Sequence, residues 1–261
     1  MLFRSAAARQ RNRDDLQPLL TSAGLYAAKG EAGSARALYQ EVLELEPEWP
    51  AALDGNRRFL IAQGDLAVVR GRLPDAGRDF AQAKALAERL AGLEPDNRDW
   101  QRNFAVTWSW IGDVEVAQGH GDAALAAYER YYEDIKRLAA ADPSNAGWQR
   151  DLSVSLNKLG DTKAAEGDLA GALAHFGRSL AIVERLAAAD PSNAGWQRDL
   201  YVSHWMLADL NERRGETQAA QVHWRQAYAV LKGIQERGLH VSPADLAGLE
   251  AIRAWVQAAA H

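Results

Sequence analysis

Cysteine is missing from the chain of 261 residues. That excludes disulfides, thiolate metal sites and a cysteine nucleophile, and leaves the redox compartment open. No apolar run approaches the ~18 residues that a membrane-spanning helix needs. The opening Met1-Leu2-Phe3-Arg4 has no apolar stretch long enough for a secretory signal. The expectation is a cytoplasmic protein. A net charge of -5 supplies no excess of cations to hold nucleic acid or an anionic membrane. Patterns that mark nucleotide binding or catalysis are also lacking: there is no G-x-x-x-x-G-K-[ST], no G-x-S-x-G and no H-E-x-x-H. The histidines are scattered. His175 and His223 occupy equivalent places in successive repeats, but neighbouring helices would hold them ~10 Å apart, too far for one metal ion, and they read as two surface histidines. His204 falls on an apolar stripe and reads as a core residue. No catalytic, cofactor-binding or metal-binding residue is assigned, and the chain is expected not to be an enzyme.

What is present is repetition. The sixteen residues Arg137 to Leu152 return letter for letter as Arg185 to Leu200, an offset of 48. A looser copy lies one period upstream at Leu90, Pro95, Asn97 and Trp100-Gln101-Arg102. A fixed period of this size marks a repeat architecture. Residues 1–15 form a basic segment with Arg4, Arg9, Arg11 and Arg13 and no apolar stripe, which reads as a solvated helix end or the edge of a preceding region. From Leu16 to Trp49 the pattern is helix, turn, helix. Pro18 is expected in the first turn of its helix, where its missing N–H has no partner to lose, and Asp14-Asp15 beside the helix start. Gly30 ends that helix. Ala35, Tyr39 and Val42 share a face of the next, and Pro47 stops it.

Leu19, Ala23, Tyr26, Ala35, Tyr39 and Pro47 together resemble the tetratricopeptide repeat. The landmarks recur: glycines at 30, 71, 119, 167 and 215; alanines at 35, 76, 124, 172 and 220; aromatics at Tyr39, Phe80, Tyr128, Phe176 and Trp224; prolines at 47, 95, 143 and 191. The first unit has the family's usual 34-residue length. Afterwards both helices of a repeat are lengthened by seven residues. Seven residues are two turns with ~20° of drift, so the added turns prolong the same buried stripe. Helices of about 20 residues are expected. The stripe reads Trp100, Phe104, Trp108, Ile111, then Trp148, Leu152, Leu156, Leu159, then Trp196, Leu200, His204, Leu207, in steps of 4, 4 and 3. Gly64, Gly112, Gly160 and Ala208 follow it, where a small residue lets helices approach. Asn97, Asn145 and Asn193 suit helix N-caps. After Gly238 the pattern breaks. Ser242-Pro243 opens a last helix with Leu246, Leu249, Ile252 and Val256 on one face, which would hide the open end of the array. The expected fold is an all-α solenoid of helical hairpins: five repeats at 16–49, 50–95, 96–143, 144–191 and 192–241, with a capping helix and tail at 242–261.

The resemblance implies that Asp65, Asp113, Asp161 and Asp209, one per long repeat, look into a concave groove. Arg102, Arg150 and Arg198 lie eleven residues before the last three, on the same helical face and roughly 16 Å along it. Like charges aligned in successive repeats repel unless neutralised, by a partner or by neighbours such as Asp151 and Asp199. Ile61, Ser109, Asn157 and Trp205, four residues before each aspartate, are implied to face the groove, and an exposed Trp205 would suit a binding hot spot. The lysine and asparagine with which some family members clamp a peptide carboxylate are replaced here by Leu20, Gly24 and Ile61, so that activity is not carried over. The first reading is a noncatalytic scaffold for a protein or peptide partner. The alternatives are a regulatory or oligomerising arm of a larger signalling or enzymatic protein, and a solenoid that associates with itself through its exposed ends.

Overall fold

Lengthened helices paired by short glycine turns are what the described residues form. The computed structural model describes the backbone of residues 6–258 and the side chains of 12–250 except 244, with Ile252. Along the chain run α1 (Ala6–Ala28), α2 (Ala32–Leu45), α3 (Pro50–Val69), α4 (Leu73–Leu93), α5 (Arg98–Ala117), α6 (Gly121–Ala141), α7 (Ala146–Ala165), α8 (Leu169–Ala189), α9 (Ala194–Arg213), α10 (Thr217–Glu236) and α11 (Pro243–Ala258). Among the described residues there is no strand, and no helix is long and apolar enough to cross a membrane.

The added turns are real. Helices α3 to α10 are 20 or 21 residues long, whereas α2 has 14. The first helix departs from expectation: α1 has 23 residues and begins at Ala6, so Pro18 lies inside it and Asp14-Asp15 lie mid-helix. A proline there forfeits one i→i−4 hydrogen bond, which a helix this long, anchored at Leu16 and Ala23, can lose. Only the second helix of the first repeat is therefore short. The arginines at 4, 9 and 11 lie outside the residues whose side chains are described. Arg13 reaches Glu46 at 3.7 Å.

The chain divides into two compact units, Met1–Asp134 and Ile135–His261. In the first, α1 packs on α2, α3 on α4 and α4 on α5. One core cluster joins Ala23, Ala35, Tyr39, Leu53, Phe59, Leu60, Ala83, Leu86 and Leu90. In the second, α7 pairs with α8, α8 with α9, α9 with α10 and α10 with α11. Its last cluster gathers Tyr201, Ala208, Ala220, Trp224, Ala227, Leu231, Ile234 and Ile252.

The small residue on each first helix is covered by the aromatic of the second. A Cβ on Gly64, Gly112 or Gly160 would stand 2.4 Å from the ring of Phe80, Tyr128 or Phe176. No side chain fits there. The turns close as Schellman motifs: at Gly71, with φ +69°, Gly71 N–H donates to Val68 O and Arg72 N–H to Ala67 O, a left-handed geometry that glycine adopts without steric cost. The five turn glycines and Gly238 all have positive φ. Asn97, Asn145 and Asn193 accept from the N–H of Trp100, Trp148 and Trp196 at 3.4, 3.0 and 3.1 Å. Ser242 caps α11 by accepting from Asp245 N–H at 3.1 Å. On α11, Ile252 is buried and Leu249 half-buried, but Leu246 is exposed. The capping face is narrower than the spacing implied, and the side chain of Val256 lies outside the described residues.

Candidate interaction face

In the second unit α7 and α9 lie side by side, clipped at both ends. Near the N-termini Arg150 grips Asp199 with two bonds, Nε to Oδ2 at 2.5 Å and Nη2 to Oδ1 at 3.1 Å. Near the C-termini Arg213 Nη2 donates to Ala164 O at 2.7 Å. One period on, Arg198 holds Asp245 of α11 in the same two-pronged way, at 2.8 and 3.3 Å. Burial by itself would raise the pKa of Asp245, but the hydrogen bonds from Arg198 and Ser242 and the guanidinium charge outweigh it and hold the carboxyl below its ordinary range. Arg150 and Arg198 thus join each repeat to the next element. Asp199 was legible as a neutralising neighbour; Asp245 was not, because it lies outside the 48-residue register.

Between the two clips lie the candidates on α7 and α9. Trp205 is 43% exposed, and its ring meets Trp224 edge-on at 6.3 Å, while Trp224 Nε1 donates to Glu212 at 2.9 Å. Asp161 is exposed and Asp209 half-buried. Asn157 is half-buried, and its Oδ1 is shut away from water with no hydrogen-bond partner. Such an atom ordinarily finds a donor.

In the first unit Asp65 and Asp113 are both exposed and Arg102 is half-buried. Desolvation raises the pKa of the Asp65 carboxyl even though its side chain reaches water. Asp113 accepts from Tyr128 OH at 2.6 Å; the equivalent aromatics Phe80 and Phe176 have no hydroxyl to offer. Ile61 packs against the core and Ser109 is buried, donating back to Val106 O at 2.9 Å, so the row four residues ahead of the aspartates is not a uniform lining. Of the stripe tryptophans Trp148 is buried, while Trp100, Trp108 and Trp196 are half-buried. Lys84 Nζ stands 4.4 Å over the Trp108 ring, a cross-helix cation–π contact with no signature in sequence spacing.

The histidines also differ from expectation. His223 is half-buried and, with the buried His204, makes a direct contact across the α9/α10 hairpin, Nδ1 to Nδ1 at 3.2 Å. His175 is half-buried too. Among the described residues no group of three or more His, Asp or Glu side chains is placed to hold a metal ion.

No family model and no curated protein matches the sequence. Solved structures do match. BtubC (BKLC) of P. vanneervenii superposes with a TM-score of 0.60 at 18% identity, over 91% of this chain and 92% of that one. A putative kinesin light chain of Podosopora anserina with nearly identical TPR-like repeats gives 0.51 at 18% identity, over 83% of this chain and 94% of that one. At such identities the likeness speaks for the fold alone. The hairpins, the glycine–aromatic packing within them and these neighbours agree: the chain is an α-solenoid of tetratricopeptide-like repeats.

Proposed function

We propose that the chain is a protein-binding scaffold without chemistry of its own, which holds a peptide or helix carrying basic side chains against α7 and α9. The observation that carries this reading is Trp205, a large ring left 43% exposed on a face bracketed by the Arg150–Asp199 and Arg213–Ala164 contacts. Tryptophan supplies contact area at little rotamer cost and is over-represented at binding hot spots. Asp209 lies one turn along α9 from Trp205, and Asp161 holds the equivalent place on α7. Cationic side chains on the partner fit their charge and acidic ones do not.

The test is affinity capture from the native cell, followed by titration of the captured peptide. Trp205→Ala is expected to weaken binding at least ~30-fold, as removal of a hot-spot anchor does, and the pair Asp161→Lys, Asp209→Lys to abolish selection for basic segments. Helicity should be unchanged in both. Full capture by both variants would remove this face from consideration.

A further inference from the structure

His204 on α9 and His223 on α10 face each other inside the last hairpin, ring centroids 5.4 Å apart and planes inclined by 35°. Two ring nitrogens 3.2 Å apart have room for one hydrogen between them. One ring donates from Nδ1; the other accepts on Nδ1 and keeps its own hydrogen on Nε2. We propose that this pair is an acid-sensitive latch: the α9/α10 hairpin stays closed while the rings share one hydrogen, and opens when both become charged. A second proton would set N–H against N–H and cation against cation, in a site where His204 is only 7% exposed.

The surroundings offer little to offset that charge. On α9, Asp199 holds Arg150 and Glu212 accepts from Trp224; Asp209, Arg198 and Arg213 complete its nearby charged groups. On α10, Glu236 pairs with Lys232, beside Arg225. On α7 are Arg150, Asp151, Lys158, Asp161 and Lys163, on α8 His175, Arg178, Glu184 and Arg185, and on α11 Asp245, bound to Arg198, and Glu250. None of these sets the protonation of the pair. Burial and then the charge of His223 lower the pKa of His204 to about 4, and burial lowers that of His223. Both folded-state values lie below the ordinary 6.5. The neutral pair's contribution to stability is therefore complete above pH 6.5 and is lost as pH falls from there towards about 4.

The repeats supply their own controls. At the places of His204 and His223 the α7/α8 hairpin has Leu156 and His175, the α5/α6 hairpin Trp108 and Ala127, and the α3/α4 hairpin Leu60 and Asp79. His204→Leu and His223→Ala thus install residues that the same fold already accommodates. The experiment is hydrogen exchange of the full chain at about pH 7 and about pH 5, corrected for intrinsic rates. In the wild type, α9 and α10 should lose protection by up to about 30-fold at the lower pH, while α3 and α4, which carry no histidine, keep theirs. In His204→Leu and in His223→Ala the acid response should shrink to that of the one remaining buried ring, either variant sufficing if the other fails to fold. Retained protection in the wild type, or an equal loss in the variants, would overturn the latch.

Discussion

At the scale of single residues, the α3/α4, α5/α6 and α7/α8 hairpins depend on a missing methyl group, where α9 has Ala208. Gly160 lies mid-helix, where glycine costs roughly 0.5–1 kcal/mol against alanine, yet a Cβ there would stand 2.4 Å from Phe176. The clash wins. Gly160→Ala should destabilise by roughly 1–2 kcal/mol, the overpacking strain less the propensity gain, in urea unfolding. Gly177, on the exposed side of α8 with open space where a Cβ would go, makes the control: Gly177→Ala should stabilise by about 0.5–1 kcal/mol. If the two substitutions behave alike, contact with Phe176 is not what selects glycine. Spacing alone placed the small residue and the aromatic opposite each other. It could not show that Tyr128 adds a hydroxyl bond to Asp113, because that depends on the angle at which the hairpin closes.

At the scale of the element, each long helix is started by a side chain and fastened by another. Asn193 accepts from Trp196 N–H at 3.1 Å, so Asn193→Ala should cost about 1 kcal/mol, read by thermal or urea unfolding. The capping helix α11 is fastened by Arg198 to Asp245, whose side chain is 8% exposed while that of the arginine is 54% exposed. A partly exposed pair of this kind is worth about 1 kcal/mol after solvent screening. Asp245 titrates below its ordinary value, so its contribution is complete above pH 3.8 and disappears as pH falls through the lower folded-state value. Asp245→Asn should release α11 at neutral pH, seen as faster proteolysis at residues 238–243 with α7 and α8 unaffected. Equal resistance to protease would mean that the apolar contacts of Ile252 and Leu249 hold the cap without the ion pair. The arginines were legible as a row, and their partner Asp199 as a candidate. That both serve to link repeats was not, since spacing gives direction along one helix and says nothing of which neighbour comes within reach.

At the scale of the whole molecule, hairpins that pack on their chain neighbours make stability a sum of local terms. Leu231, 1% exposed on α10, packs with Tyr201, Trp224 and Ile252. Leu231→Ala should cost about 2–5 kcal/mol, and native-state hydrogen exchange should show the loss in α9, α10 and α11 with α7 retaining its protection. A uniform loss across the second unit would mean that it unfolds as one block. The same locality lets a single histidine pair govern one hairpin.

The sixteen residues that recur 48 apart were enough to give the period, the helix lengths, the turn glycines, the asparagine caps and the helical class, because these follow from backbone conformation and 3.6-residue periodicity, which are local. Tertiary structure decided what touches what. It carried α1 through Pro18, left Leu246 in water, turned the arginine row towards Asp199 and Asp245, and set His204 against His223. Those outcomes depend on the distance and inclination between neighbouring helices, and a linear pattern contains neither.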